Sequence, residues 1–373
     1  MNKIEFGDCR ETMRRWKEQG IKAQTCVTSP PYYGLRDYGT AKWNGGNADC
    51  EHIGARVNPL KVGGFTGERL RKENGRENEK YLSYKHKCPD CNAVRVDSQI
   101  GLEETPEQYI TAMVEVFRCV WDVLKDDGTL WLNIGDSYAR QGGRESDQPR
   151  HWDGREKTSG SMHNTRMAQD IGLKPKDLIG IPWMLAFALR ADGWYLRQDI
   201  IWHKPNPMPE SVTDRCTKAH EYIFLMSKSQ KYYYDADAIK EEANEDSGFA
   251  KQRAKGIDTW KYNNTSERIA QTGQTIEAST FGEIGKRNKR SVWTVTTKPY
   301  AGAHFAVFPS DLIEPCILAG APVGGIVLDP FMGSGTTAQV AQNLGRKYLG
   351  CELNPDYCQL QNIRTAQQSL DFI

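Results

Sequence analysis

Residues 327–337 read VLDPFMGSGTT, and this stretch decides the fold. A short apolar strand (325–328) leads into a glycine-rich turn, which is followed by a helical segment (338–344) and a second strand (347–351) that ends at Glu352. This order of strand, glycine-rich turn, helix and strand ending in an acid is the layout of a nucleoside-cofactor site. The glycines allow the backbone to approach a ligand, and Glu352 is placed to bind ribose hydroxyls.

The glycine-rich turn also restricts the class of cofactor. A Walker loop has lysine directly after its second glycine, where this chain has Thr336, so an NTPase is not expected. The motif by itself leaves a nicotinamide-binding site open, and also a tight turn that binds nothing.

Strands alternate with helices along most of the chain. Further strands are predicted at residues 3–6, 24–28, 129–134, 195–202 and 221–227, and helices at 10–19, 105–124, 179–190 and 311–318. A turn is predicted at Asp126, Asp127 and Gly128. This alternation predicts an α/β fold with a mostly parallel, doubly wound sheet.

Polar stretches without apolar periodicity interrupt this pattern. They cover residues 43–98, 141–169 and 241–290, and we expect them to be insertions. The main domain is then predicted to consist of residues 1–42, 99–240 and 291–373.

A second motif, TSPPY at residues 28–32, directly follows a predicted strand. Its two prolines stop both sheet and helix, which predicts a rigid loop at the carboxyl end of the strand. The exocyclic amino group of adenine or cytosine is a poor nucleophile, because its lone pair is delocalised into the ring. The Ser29 hydroxyl and a proline-loop carbonyl could accept both amino hydrogens and aim the lone pair at a methyl group. Tyr32 offers a face for a base extruded from a duplex. A simple Pro-Pro turn is the alternative.

Together, the two motifs resemble those of the β-class S-adenosylmethionine-dependent amino methyltransferases of DNA. In that class the catalytic motif precedes the cofactor motif, which implies a permuted Rossmann-like methyltransferase fold. The resemblance implies that Ser29, Pro30, Pro31 and Tyr32 are catalytic. It also implies that Asp8 contacts the cofactor adenine, that Glu352 holds the ribose, and that Phe305, Asp329, Phe331, Gly333, Gly335 and Thr336 hold the methionine part.

The target base is adenine at N6 or cytosine at N4. Serine at position 29, in place of aspartate, is more usual in the cytosine-N4 branch. The long insertion and the GLRDYG stretch (34–39) are similar to prophage-encoded enzymes of low specificity that modify adenine. We therefore expect adenine N6, with cytosine N4 as the alternative. Methylation at cytosine C5 requires a cysteine nucleophile in a Pro-Cys context and is not expected.

Cysteines lie at the two ends of the 43–98 insertion. Cys50 and His52 at one end and the CxxC pair Cys88 and Cys91 at the other predict a structural Zn²⁺ site. His86 is a rival ligand, and free surface cysteines are the alternative.

Double-stranded DNA is the expected partner. The formal net charge is only +1, so contacts with phosphates must come from local patches. The candidates are Lys204, Asn206, Lys286, Arg287, Lys289 and Arg290. By resemblance, residues 241–290 occupy the place of a target-recognition segment. Each charged run could instead be a solvated face.

Other readings remain open. An amino methyltransferase acting on RNA or on protein glutamine would share the Pro-Pro-Tyr chemistry, and an inactive DNA-binding module would share the fold. The start of the chain lacks the apolar stretch of a signal peptide, and the longest apolar run (179–189) is too short to span a bilayer. We expect a cytoplasmic protein of bacterial or phage origin, either monomeric or homodimeric.

Overall fold

The structure is a computed structural model that describes residues 2–34, 40, 42–47, 49–50, 88, 91–139, 171–242, 286–297 and 308–366. The strands are β1 (Lys3–Phe6), β2 (Ala23–Thr28), β3 (Lys42–Asn44), β4 (Val94–Val96), β5 (Leu124–Ile134), β6 (Tyr195–His203), β7 (His220–Ser227), β8 (Glu241–Glu242), β9 (Lys286–Arg287), β10 (Val292–Thr294), β11 (Ile326–Asp329) and β12 (Lys347–Glu352). The helices are α1 (Cys9–Glu18), α2 (Pro106–Val123), α3 (Ile181–Ala191), α4 (Ser310–Gly320), α5 (Thr336–Asn343) and α6 (Cys358–Ala366).

The central sheet has eight strands in the order β1-β12-β11-β2-β5-β7-β6-β10. All neighbours are parallel except β7, which runs antiparallel to both β5 and β6. The prediction of a mostly parallel α/β sheet is confirmed. Strands β11 and β2 are adjacent although they lie near opposite ends of the chain. The strand that leads into the glycine-rich turn (β11) therefore lies beside the strand that leads into the TSPPY motif (β2), in the middle of the sheet.

Helices cover both faces of the sheet. Trp16 of α1, Phe117 of α2 and Leu185 of α3 are fully buried in one core, and Ile313 of α4 and Ala338 of α5 belong to the other. Helix α2 has a capping box in which Thr105 and Gln108 each accept a backbone N–H of the other, which fixes where the helix begins. The two cores hold the sheet between helical layers, and the carboxyl ends of its parallel strands open at one edge.

The turn predicted at residues 126–128 was wrong, because this segment belongs to β5. The pairing of β5 with β2 begins at Leu124, shifts register at a bulge and resumes at Thr129. The Asp127 carboxylate accepts a hydrogen bond from the Gln24 side chain at 3.0 Å. Residues 125–128 form the bulge itself, and the strand pairs with β2 on both sides of it, so the chain does not reverse direction at the Asp-Asp-Gly sequence.

Two small sheets stand apart from the central one. Strands β3 and β4 form an antiparallel pair at the two ends of the 43–98 segment, and β8 pairs with β9. Residues 51–87, 141–169 and 243–285, on which several predictions fall, lie outside the described residues. None of the helices within the described ranges combines the length and apolar character needed to cross a bilayer.

Candidate active site

The two sequence motifs meet at the carboxyl ends of β2 and β11. Thr28, the last residue of β2, donates a hydrogen bond of 2.6 Å from its hydroxyl to Asp329 Oδ1 at the end of β11. Ser29 follows Thr28 directly, so the predicted catalytic loop begins at this contact. In open α/β sheets, ligands bind at such strand ends.

Asp329 is almost completely buried and bonded within the protein. Its Oδ1 also accepts the Phe331 N–H at 3.0 Å, and its Oδ2 accepts the Thr337 hydroxyl at 2.7 Å. Burial raises the pKa of Asp329 to about 6, and these donors oppose the shift. The carboxylate therefore shapes the glycine-rich turn and joins it to β2.

Glu352 closes the opposite side of the turn. Its carboxylate accepts the Gly333 N–H at 2.7 Å and the Asn354 N–H at 2.8 Å. Burial raises the pKa of Glu352 to about 7, which these backbone donors only partly offset. Unlike Asp329, Glu352 accepts no side-chain hydroxyl in the described structure, and a hydroxylated ligand would supply that kind of donor.

The glycine-rich turn has two features that suit a close polar ligand. Gly333 and Gly335 have φ values of +54° and +91°, which favour glycine, and their lack of side chains leaves backbone exposed to a ligand. The buried Ser334 hydroxyl has no hydrogen-bond partner among the described residues. Together with the Glu352 carboxylate, these groups fit a nucleoside with ribose hydroxyls, such as that of S-adenosylmethionine.

Helix α2 anchors the predicted catalytic loop, residues 29–32. The Tyr109 hydroxyl donates to the Pro31 carbonyl at 2.9 Å. Gly101 comes so close that an added Cβ would lie 3.1 Å from the Tyr32 carbonyl oxygen. Because Tyr109 occupies the Pro31 carbonyl, the Pro30 carbonyl is the proline-loop acceptor that the described contacts leave for a substrate.

Tyr32 is fixed by β5 and β7. Its hydroxyl donates to Glu221 Oε2 at 2.6 Å, and Glu221 forms an ion pair with Lys204. Burial and the Glu221 carboxylate raise the pKa of Tyr32, so the phenol stays protonated. A Cβ on Gly135 would lie 2.8 Å from the Tyr32 ring, so only glycine leaves room for the ring in this position.

Three residues that fix this loop were not predicted from the sequence: Tyr109, Asn133 and Glu221. The Asn133 side chain donates to the Tyr222 carbonyl at 3.1 Å and lies within 3.4 Å of Glu221 Oε2. Of these three residues, Asn133 alone could have been singled out from the sequence, because it is a polar residue inside an otherwise apolar strand.

The remaining cofactor predictions have different surroundings. Asp8 caps helix α1, and its carboxylate accepts three hydrogen bonds from Arg10, which lower its pKa against the effect of burial. The preceding Gly7 donates its N–H to the Glu352 carbonyl, so Asp8 lies beside the cofactor turn. The Thr336 hydroxyl accepts a hydrogen bond from Arg364 of helix α6. Phe305 lies outside the described residues.

The residues predicted to contact DNA are already engaged within the protein. Lys204 pairs with Glu221, and Asn206 makes two hydrogen bonds to the backbone of Thr297. Arg287 and Arg290 both pair with Glu241, Lys289 lies over the Trp293 ring, and Lys286 lies in β9. DNA contacts by these residues remain predictions.

The cysteine prediction divides between described and undescribed residues. The structure brings together Cys50, Cys88 and Cys91, whose sulfur atoms all lie within 4.8 Å of one another. His52 lies outside the described residues.

The chain also contains one Pro-Cys pair, the sequence context that C5 methylation requires, at Pro315 and Cys316. Cys316 is buried within α4, and burial raises its pKa. It is unsuited to the nucleophilic role that C5 methylation requires.

The fold and the site define a methyltransferase that acts on amino groups. A family model described as DNA methylase, of the N6/N4 methyltransferase type, matches residues 23–363. The Type II methyltransferase M.SmaI of Serratia marcescens is 41% identical over 98% of this chain and 91% of its own length. The Type II methyltransferase M.Cfr9I of Citrobacter freundii is 40% identical over 94% of this chain and 83% of its own length.

The chain therefore belongs to the DNA methylase family of amino methyltransferases. It is a Type II DNA methyltransferase that uses S-adenosylmethionine to methylate an amino group, adenine N6 or cytosine N4. The solved structure of PvuII DNA methyltransferase (cytosine-N4-specific) shares its fold, with a TM-score of 0.53 and 15% identity over 99% of this chain and 88% of that one.

Proposed function

We propose that this enzyme methylates the N4 amino group of cytosine in duplex DNA, with the flipped base held by residues 29–32. The observation that carries the proposal is the anchored loop. The Tyr109 hydroxyl donates to the Pro31 carbonyl, and the Tyr32 hydroxyl donates to Glu221. The Ser29 side chain hydrogen-bonds Tyr32, and its hydroxyl oxygen still has lone pairs that can accept, as does the Pro30 carbonyl at the same strand end.

In this proposal Ser29 and Pro30 each accept one hydrogen of the substrate amino group. Accepting both hydrogens draws the nitrogen towards tetrahedral geometry and frees its lone pair for attack. The loop is rigid before the base arrives, because two prolines limit its backbone and Tyr109 fixes the next carbonyl. Tyr32 provides the face on which the flipped base stacks.

The cofactor side of the site is built from the β11 turn and Glu352. Bound S-adenosylmethionine supplies an electrophilic methyl group. We propose that Glu352 accepts the ribose hydroxyls and that the backbone of Phe331, Gly333, Gly335 and Thr336 lines the methionine part, with Asp8 beside the adenine. Asp329 acts as a positioning residue, because its oxygens already accept three hydrogen bonds from the protein.

Two observations support cytosine as the target. The sequence resemblance associates serine at the first position of the loop with the cytosine-N4 branch, and the PvuII enzyme, a solved structure that shares this fold, is named as cytosine-N4-specific. Adenine N6, which the insertion and residues 34–39 favour, is the alternative that the experiment below separates.

The arrangement of the strands supports the proposed domains. All eight strands of the central sheet fall within residues 1–42, 99–240 and 291–373. We propose that residues 241–290 contribute to target recognition and that the enzyme is cytoplasmic, which is in keeping with the bacterial sources of its relatives.

The test is nucleoside mass spectrometry of unmethylated duplex DNA after incubation with the enzyme and labelled S-adenosylmethionine. N4-methyl-2′-deoxycytidine supports the proposal, and N6-methyl-2′-deoxyadenosine as the only product overturns the choice of base. Methylation of RNA or protein in place of DNA would overturn the substrate. The fraction of cytosines modified measures sequence specificity.

A further inference from the structure

Three cysteine sulfurs converge where the 43–98 segment leaves and rejoins the described chain. Cys50 lies beyond β3, and Cys88 and Cys91 precede β4. The Cys50 and Cys88 sulfurs are 3.8 Å apart, and all three fall within 4.8 Å of one another. Four sulfurs at about 2.3 Å from a tetrahedral Zn²⁺ ion are separated by about 3.8 Å from each other, so the Cys50–Cys88 spacing fits two corners of such a site.

The backbone around Cys88 and Cys91 forms a tight turn. Asn92 donates its N–H to the Cys88 carbonyl at 2.9 Å, and Cys88 donates to the Ala93 carbonyl at 2.8 Å. Asn92 adopts φ +62°, a conformation that non-glycine residues rarely adopt, at the position that reverses the chain after Cys91. The turn directs the sulfurs of both cysteines towards Cys50.

A second stretch of backbone is fitted to the Cys91 sulfur. The backbone N–H groups of Ala93 and Asn47 donate to this sulfur. Gly46 adopts φ +76°, and a Cβ there would lie 2.7 Å from Cys91 Sγ. The chain therefore surrounds this sulfur closely from two sides.

A disulfide explains the cluster less well than a metal does. An S–S bond is about 2.05 Å long and joins two cysteines, whereas here three sulfurs converge at longer separations. Strands β3 and β4 have three residues each and form a sheet of only two strands, which is marginal by itself in water. A metal ion would stabilise such a hairpin.

We infer that Cys50, Cys88 and Cys91 bind a structural Zn²⁺ ion that clamps the two ends of the 43–98 segment. The described residues supply three thiolate ligands. A tetrahedral Zn²⁺ ion takes one further ligand, for which the sequence analysis names His52, with His86 as its rival. The ion takes no part in methyl transfer, because that reaction needs only the base, the methyl donor and the loop that aligns them.

The test is the zinc content of the full-length protein, purified from zinc-supplemented cells and dialysed without chelator. We expect about one zinc per chain, and cobalt substitution should give the thiolate-to-cobalt charge-transfer band of a sulfur-rich tetrahedral site. Cys88→Ser and Cys91→Ser should each lose the metal. Cys216→Ser, at an exposed cysteine outside the cluster, should retain it.

Two results would overturn the inference: wild-type protein that binds S-adenosylmethionine but contains no zinc, or Cys88→Ser with undiminished zinc. If the serine variants fail to fold, titration of folded wild-type protein with an organomercurial provides the second measurement. We expect zinc release in proportion to thiol modification, and thiols that react without releasing zinc would also count against the site.

Discussion

The Thr28 hydroxyl and the Asp329 carboxylate are 301 positions apart in the chain, yet a hydrogen bond of 2.6 Å joins them. Thr28 ends the strand that leads into Ser29, and Asp329 ends the strand that leads into the glycine-rich turn. This bond therefore couples the loop that holds the base to the turn that holds the cofactor.

Replacing Thr28 with valine removes one donor to a buried carboxylate and keeps the shape of the side chain. We expect a loss of about 1–3 kcal/mol in the free energy of unfolding at pH 8. The loss should be smaller at pH 5, because Asp329 has a pKa of about 6 and is then mostly protonated. Urea denaturation measures both values. Thr28→Ser retains the hydroxyl and should be near wild type, whereas equal losses at the two pH values would contradict the role of the carboxylate.

Glu352 should make cofactor binding depend on pH. Its pKa of about 7 in the folded protein lies above the ordinary glutamate value of 4.5, so its contribution to stability is fully present below about pH 4.5 and is lost as the pH rises through 7. Ribose hydroxyls donate to the ionised carboxylate, so the affinity for S-adenosylmethionine should increase between pH 5.5 and about 7.5 and then level off.

Isothermal titration calorimetry of the Glu352→Gln variant checks this assignment. We expect affinity about 10- to 100-fold weaker at pH 8 and a flatter pH profile, because a charge-assisted hydrogen bond is lost. Glu314→Gln, at an exposed site on α4, is the matched control and should behave as wild type. A Glu352→Gln variant with the wild-type pH dependence would exclude Glu352 as its source.

Ser29→Ala should slow methyl transfer far more than it weakens cofactor binding. Removal of one preorganised hydrogen-bonding group from an active site typically reduces kcat about 10²- to 10³-fold. We expect that loss in single-turnover methylation, with the cofactor Kd within about threefold of wild type. Ser211→Ala, at an exposed serine, serves as the control. Equal losses in transfer and cofactor binding would contradict the assigned role.

Tyr32→Phe and Tyr32→Ala separate the anchoring hydroxyl from the aromatic face. The phenylalanine variant loses the bond to Glu221 but keeps the ring, so we expect a kcat about tenfold lower with base flipping retained. The alanine variant also loses stacking, which contributes about 1–3 kcal/mol for each stacked base. Fluorescence of 2-aminopurine placed next to the target cytosine measures flipping, because the probe loses a stacking neighbour when the cytosine leaves the duplex. Full flipping by Tyr32→Ala would show that the base does not stack on this ring.

Local pattern was enough to predict both motifs, seven of the eight strands of the central sheet and five of the six described helices; strand β10 (Val292–Thr294) and helix α6 (Cys358–Ala366) were missed. Each of the predicted features depends on short-range signals: apolar runs, glycine in a turn, and prolines after a strand. The same reasoning gave a wrong turn at residues 126–128, because pairing with β2 on both sides of this bulge keeps the strand going, and β2 lies about a hundred positions earlier in the chain. Sequence alone does not reveal when a distant strand will override a local turn.

The supports of the catalytic loop were also beyond local prediction. Tyr109 lies on the inner side of α2 and reads as an ordinary core residue, and Glu221 lies near the start of a strand that the sheet inserts antiparallel between two others. Their roles follow from packing and from strand order. The motif residues carry a recognisable signature, whereas the residues that fix them in place do not.

Because β2 and β11 meet through lateral pairing, the connections that lead to them do not set the geometry of the centre. A gene rearrangement that reversed the order of the two motif-bearing segments would rebuild the same junction, provided that both strands still entered the sheet side by side. Evolution and protein engineering can therefore both relocate the chain termini of this enzyme without changing the site. The spacing between the methyl donor and its acceptor is set by the sheet and not by the order in which the two motifs occur in the sequence.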